Sequence, residues 1–343
     1  MIPRRTFGRT NLVTTVLGLG CAALGDLFEH LPEAQAAAVI SAALESGITY
    51  FDTAPFYGHG LSEHRLGHAL RQLTRAQRDE LKLSTKVGRL YRRPTNRMAF
   101  TTGIWAGGLE FDFRFDYSGD GFLRSYEDSL FRLGLNRVNC LVIHDLDRRF
   151  HADDELQRHQ WEMETSGWMA LDELRRCGEV DALGVGINEL SLMSYFMERF
   201  DIDFFLVSMP YTLLDPSPGL AEFNDCERRG ISIVKGSPFA SGILATGPVA
   251  GAKYDYAPAT EAVLERTRRL CHVCERFQVP LPAAALQFSL AHPAVTTVIP
   301  GAASAAMIAK NVGHLNEPIP NAFWAELKSQ GLLSADVPVP TGT

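Results

Sequence analysis

The chain has 343 residues with 33 Lys and Arg against 40 Asp and Glu, a formal net charge of −7 that speaks against nucleic acid and anionic membrane as partners. A hydrophobic fraction of 46% with 21% charged residues is that of a globular protein with a substantial core, and no apolar stretch approaches the ~20 residues of a membrane span. Six cysteines (Cys21, Cys140, Cys177, Cys226, Cys271 and Cys274) lack the spacing of a disulfide framework, so reduced thiols in a cytoplasm are expected.

The N-terminal run RRTFGRTNLVTTVLGLGC imitates an export signal. Polar Thr10, Asn11, Thr14 and Thr15 interrupt it, and glycine stands where a lipobox takes leucine. The run is therefore read as part of the fold, with a strand over 13–20 and a short hairpin before it. Further strands are expected at 48–54, 81–87, 139–145, 182–188, 204–210, 232–237 and 296–301. Helices are expected between them at 32–46, 62–73, 124–134, 167–180, 191–200, 221–230, 261–277 and 305–315, with one more at 321–333.

Eight β-then-α units predict an α/β protein, a (β/α)8 TIM barrel over residues 1–343 as a single domain. The hairpin would cover the barrel floor, and helix 321–333 would follow the last unit. The irregular stretch 88–121 is long for a compact domain, which marks it as functional. The competing dinucleotide-binding reading rests on Gly18-Leu19-Gly20-Cys21-Ala22-Ala23 after a strand. It lacks the acid expected about twenty residues on.

Barrel chemistry sits at the C-terminal strand ends. There the sequence places Asp52, Tyr57 in the next loop, Lys86, His144 and Asn188. Each alone has a bland explanation, as a turn cap, a surface ion pair or a filled polar gap. Together, an acid, a phenol, an ammonium and an imidazole suit proton transfer at a carbonyl or alcohol carbon. An ammonium about 4 Å from the phenol, at an effective dielectric near 20, favours the phenolate by on the order of 4 kcal/mol. Tyr57 is therefore expected to have a pKa lowered by roughly three units, with Asp52 offsetting part of that.

At these residues the sequence resembles the aldo-keto reductase superfamily. FDTAPFYGHGLSEHRLG is similar to its FDTAxxYGxxxxExxLG signature, STK and VIHD to its lysine and histidine motifs, and GVGIN stands where it has GVSN. SPFASGIL and VIPGAASAAMIAKN are similar to its pyrophosphate loop and its C-terminal phosphate-binding motif. The resemblance implies Tyr57 as acid/base assisted by Lys86, Asp52 paired to Lys86, and His144 orienting the substrate oxygen. It implies a nicotinamide cofactor held by Asn188 and Ser208 at the carboxamide and by Tyr211 stacked on the ring. Ser237, Pro238, Phe239, Ala240, Gly242 and Leu244 would line the pyrophosphate. Gly301, Ala302, Ala303, Met307 and Asn311 would take the adenosine end. Ser208 replaces a common glutamine, which weakens that contact. Gly301, Ala302 and Met307 replace a K-S-x-x-x-x-R pattern, so NAD is expected over NADP, with Ser304 and Lys310 as partial substitutes.

The insertion WAGGLEFDFRFDYSGDGFLRSYEDSLFRLGL and VIHDLD are similar to the bacterial aldose dehydrogenases and pyridoxal 4-dehydrogenase. That implies a small-molecule hemiacetal oxidised to a lactone, with an aldose of L-fucose, D-threo-aldose or galactose type placed first. Pyridoxal, a generic carbonyl reductase and a slow-turnover redox-sensing module are the alternatives. Cys21, Phe56, His59 and Trp105 are candidate pocket walls. No metal is expected. Cys271 and Cys274 lie in one helical run without a second CxxC, and His59, His64 and His68 lack the spacing of a metal helix.

Overall fold

A computed structural model describes residues 1–341. Eight strands form one parallel sheet: β1 Leu19–Gly20, β2 Tyr50–Asp52, β3 Lys82–Val87, β4 Cys140–His144, β5 Ala182–Ile187, β6 Phe204–Val207, β7 Ser232–Gly236 and β8 Val295–Ile299. Neighbours pair in chain order, and parallel bridges Leu17–Val298 and Gly20–Gly301 join β8 to β1. The sheet is thus closed into the expected (β/α)8 barrel. Its strands read as continuous apolar runs because both faces are covered, by the barrel interior and by the helix layer.

The expected strand 13–20 divides in two. Val13–Thr15 pairs antiparallel with Arg4–Thr6, and only Leu19–Gly20 joins the barrel. This hairpin closes the N-terminal end, where Phe7 and Leu12 enter the interior with Tyr50, Phe204, Leu206 and Val234. The Phe7 ring lies 4.9 Å from Phe204, edge to face. The 88–121 stretch is less irregular than expected, since Arg89–Arg92 and Asp112–Phe115 form an antiparallel ribbon.

Helices Glu33–Glu45, Leu61–Arg71, Gly119–Leu133, Glu261–Phe277 and Ala305–Leu315 lie where the periodicity puts them, and Asn321–Ser329 follows the last unit. Three α-helices of six residues or more were not expected: Arg75–Glu80, Asp153–Glu162 and Leu281–Ala291. The first is short, and the second runs through a π turn at Met163–Gly167 into Trp168–Arg176. The third is buried over most of its surface and so has no amphipathic stripe to read. Among the described residues no helix is long and apolar enough to cross a membrane.

Candidate active site

The C-terminal strand ends meet at one mouth. Lys86, on the inner face of β3, donates from Nζ to Asp52 Oδ2 at 2.7 Å, to the Thr53 carbonyl at 2.7 Å and to the Tyr57 hydroxyl at 3.1 Å. Ser84, two residues earlier on the same face, donates to the other Asp52 oxygen at 2.7 Å. Asp52 and Lys86 are each 1% exposed, so water does not compete for either charge. The loop carrying Tyr57 is fixed by backbone proximity. A β-carbon on Gly25 would lie 2.4 Å from the Tyr57 carbonyl carbon, and one on Gly58 (φ +65°) would lie 2.5 Å from the Gly25 carbonyl oxygen. Buried Glu63, on the helix that follows, accepts from Thr85 of β3 and from Arg132 of helix Gly119–Leu133.

The sign of the expected Tyr57 shift is wrong. Burial first, then the carboxylate of Asp52, pushes the phenol well above its usual range. The ammonium does touch the hydroxyl, but Asp52 neutralises it at shorter range, and desolvation decides the balance. His144, at the end of β4, has its ring centroid 6.3 Å from that of Tyr57. Burial, with Arg89 and Lys86 beside it, holds its imidazole well below the usual range, so the ring is neutral.

Of the expected pocket walls, Phe56 stands 6.2 Å from the His144 ring and 5.3 Å from the Trp105 ring. Trp105 lies 5.7 Å from the Tyr57 ring and is buried, with no partner for its indole N–H. His59 and Cys21 are corrections. His59 is buried, its Nδ1 within 2.5 Å of the Phe111 carbonyl and its ring among Tyr91, Phe100 and Phe113, so it shapes the wall from behind. Cys21 has no exposed surface, and its thiol points back to the Leu19 carbonyl at 3.7 Å.

A dinucleotide fits the remaining residues in most places. Among the described residues the Asn188 carboxamide and the Asn311 amide have no hydrogen-bond partner, and Asn311 is buried. Ser208 and Ser237 hydroxyls meet at 3.1 Å at the ends of β6 and β7. From Ser237 the loop runs through successive positive φ values at Ala240 (48°), Ser241 (60°) and Gly242 (105°), with Pro238 and Phe239 between. Such turns aim backbone N–H groups outward as an anion cradle. Ala240 and Leu244 are fully buried and their N–H groups donate to the Ser237 and Phe239 carbonyls, so neither brings a free donor to the cradle. Gly301, Ala302 and Ala303 lead to Ser304, which caps helix Ala305–Leu315 by accepting from Met307 N–H and keeps its O–H to donate. Met307 is exposed at the place of the arginine clamp.

Tyr211 does not serve as expected. Its ring is fully buried, 4.7 Å from Phe223 and 5.4 Å from Phe288, and no face of it reaches the mouth. A left-handed backbone (φ +64°) turns it away from the strand end into the helix layer.

Two charged residues at the mouth were missed. Arg89 donates to His144 Nδ1 at 2.9 Å and to Asp145 Oδ2 at 2.8 Å. Lys235 of β7 is fully buried, donates to the Ser208 and Gly236 carbonyls, and has its amine pushed down to about 7 by burial. For Arg89 the only sequence signal is opposite charge beside two motif residues, three after Lys86 and one after His144. Lys235 carries none. A cleft of about 1050 Å³ opens at the opposite end of the barrel, lined by Arg9, Lys82, Arg137 and Asp203. No motif residue faces it. Among the described residues no His, Cys, Asp and Glu side chains group as a metal site.

A closed eight-strand barrel whose mouth joins Asp, Tyr, Lys and His defines a class of oxidoreductase. The aldo/keto reductase family model matches residues 16–331, and the chain belongs to that family. It is similar to pyridoxal 4-dehydrogenase of Microbacterium luteolum, 40% identical over 96% of this chain and 98% of the relative. It is also similar to D-threo-aldose 1-dehydrogenase of a Pseudomonas species, 34% identical over 94% and 95%. The holo form of aldo-keto reductase AKR11C1 from Bacillus halodurans matches with a TM-score of 0.73 and 25% identity, covering 98% of each chain.

Proposed function

We propose that this single barrel domain oxidises a ring hemiacetal to its lactone with NAD. The observation that carries the reading is the Lys86 ammonium bridging Asp52 and the Tyr57 hydroxyl beside a neutral His144. The dinucleotide, when bound, supplies the hydride acceptor. Tyr57 takes the proton of the anomeric hydroxyl as the carbon–oxygen bond becomes a carbonyl. Lys86 steadies the oxygen that receives the proton, Asp52 keeps Lys86 charged and aimed, and His144 holds the substrate oxygen. Asn188 and Ser208 meet the carboxamide, the Ser237–Leu244 loop the pyrophosphate, and Asn311 the adenine.

The walls revise the order of substrates. Phe56, Trp105, Phe113 and Phe150 gather near the catalytic groups. Asp52 and Asp145, the carboxylates acting on Tyr57, are each engaged by a cation. Sugar hydroxyls want free carboxylates, whereas a pyridine ring wants aromatic faces. The hemiacetal of pyridoxal therefore comes first, in keeping with the 40% identical relative. An aldose comes second, carried by the 34% identical one. Absorbance at the NADH band with pyridoxal, L-fucose, D-arabinose and L-galactose decides between them. Absence of turnover with the whole panel would favour a slow redox-sensing module.

With Met307 exposed in place of an arginine, the Ser304 hydroxyl and exposed Lys310 are the expected substitutes left for a 2′-phosphate, neither of them a bidentate clamp. KM for NADP is expected to exceed that for NAD by about tenfold, the scale of one lost charge-assisted contact. A tenfold preference for NADP would sink the assignment.

The pH dependence follows from Tyr57. Oxidation needs the phenolate, and a pKa raised above the ordinary tyrosine value leaves little of it at neutrality. Between about pH 7 and 9 the phenolate fraction, and with it kcat/KM for oxidation, is expected to climb roughly tenfold per unit. The reverse reduction, which uses the phenol, stays flat in the same window. A plateau in oxidation below pH 8 would show instead that Lys86 outweighs burial.

A further inference from the structure

Arg89 lies outside the set read from the motifs, yet it is 2% exposed and held on every side. One terminal nitrogen donates to His144 Nδ1 at 2.9 Å and the other to Asp145 Oδ2 at 2.8 Å. The guanidinium sits among the rings of Phe56, Phe113, Phe115 and Phe150, 4.3 to 5.3 Å from their centroids. Its Nε has no partner. The side chain thus forgoes one hydrogen bond to keep a fork aimed at an imidazole and a carboxylate, which an arginine serving only as an ion pair has no reason to do.

A guanidinium has five N–H donors, no lone pair and a charge it does not lose. A ring nitrogen that it faces must be the bare one. His144 Nε2 lies 3.3 Å from Asp145 Oδ2 without hydrogen-bonding it, because that oxygen accepts from Arg89, so Nε2 stays open to a substrate. Arg89 therefore selects one arrangement, with Nδ1 bare and the proton on Nε2. We propose that Arg89 is a positioning residue that fixes His144 in its Nε2–H tautomer, so that the ring meets the substrate oxygen as a neutral donor. The inference rests on the reading of His144 as the group that holds that oxygen. The other titratable groups facing the ring are Lys86 and Tyr57, and both leave Nδ1 to Arg89. Tyr117 ties the His144 carbonyl from behind, its hydroxyl 2.8 Å away.

Long-range 1H–15N spectra of ligand-free enzyme read the tautomer directly, with His144 assigned by its loss in His144→Gln. The wild type is expected to show bare Nδ1 and protonated Nε2 from about pH 6 to 8, the range in which an ordinary histidine titrates. Arg89→Met/Asp145→Asn removes the pair without stranding a buried carboxylate. In it no donor holds Nδ1 bare, so the Nδ1–H form is expected to appear, and kcat to fall on the order of 10- to 100-fold at unchanged dinucleotide Kd. Arg89→Lys, also donor-only, should keep the tautomer and recover part of kcat. If the double variant does not fold, Arg89→Gln replaces it, because an amide can also accept and so admits the Nδ1–H form. A wild-type ring protonated at Nδ1 overturns the proposal. So does a double variant that keeps both the tautomer and kcat within about twofold of wild type, well short of a positioning effect. The expected tautomer in an enzyme that turns over no hemiacetal supports the Arg89 assignment while sinking the proposed activity.

Discussion

Tyr57→Phe is expected to lower kcat for hemiacetal oxidation by about 10²- to 10⁴-fold, the usual weight of a positioned acid/base. The substitution takes away one oxygen and keeps the ring that packs against Trp105 and His144. Lys86 loses its contact with the Tyr57 hydroxyl but retains Asp52 and the Thr53 carbonyl, so its charge remains compensated. Stability should change by no more than about 1 kcal/mol, the net worth of an ordinary hydrogen bond. Dinucleotide affinity, read by fluorescence titration, should be unchanged, because the proposed cofactor positions lie on β5 to β8 and their loops. The measurement is steady-state kcat with NAD and the best substrate of the panel, beside a melting curve. Activity near wild type in a folded variant would remove Tyr57 from the proton path and with it the proposed mechanism.

The barrel and the meeting of Asp52, Tyr57, Lys86 and His144 at its mouth were legible because two periodicities agree. Strand runs alternating with helical runs fix the topology, and the topology sends every strand end to one mouth. Asp52, Lys86 and His144 needed nothing more. Tyr211 failed because position in sequence after a strand does not say which way the backbone turns, and one left-handed residue sends its ring into the helix layer. The 13–20 run failed because a parallel barrel strand and a hairpin strand share the same β-branched composition. Arg89 was invisible because its meaning comes from residues 55 and 56 positions away, His144 and Asp145. The direction of the Tyr57 shift was misjudged for an energetic reason. The attraction of Lys86, even with Asp52 offsetting part of it, leaves out burial, which acts most strongly on the hydroxyl. Sequence gives the partners more readily than it gives the dielectric around them.

Lys86→Met should be the most destabilising single change at the site, for reasons separate from catalysis. Asp52 is 1% exposed, and without the ammonium its only remaining partner is the Ser84 hydroxyl. Removing one member of a buried ion pair strands the other, at a cost of about 3–5 kcal/mol. At roughly 2–4 °C per kcal/mol for a chain somewhat shorter than this one, the melting point should fall by about 6–20 °C. Asp52→Asn/Lys86→Met removes the stranded charge and should recover most of that loss while remaining inactive. The pH dependence separates this account from lost packing. In the single variant the isolated carboxyl has a folded-state pKa raised above its unfolded value, so between the two the folded state binds more protons. Stability then falls as pH rises through that window, and the deficit relative to wild type should be smallest near about pH 4 and largest at neutrality. Melts of wild type, Lys86→Met and the double variant at both ends of the window test this. A deficit that is the same at each pH, or one that Asp52→Asn fails to relieve, would mean that Lys86 supports the barrel by packing its stem and not by balancing Asp52.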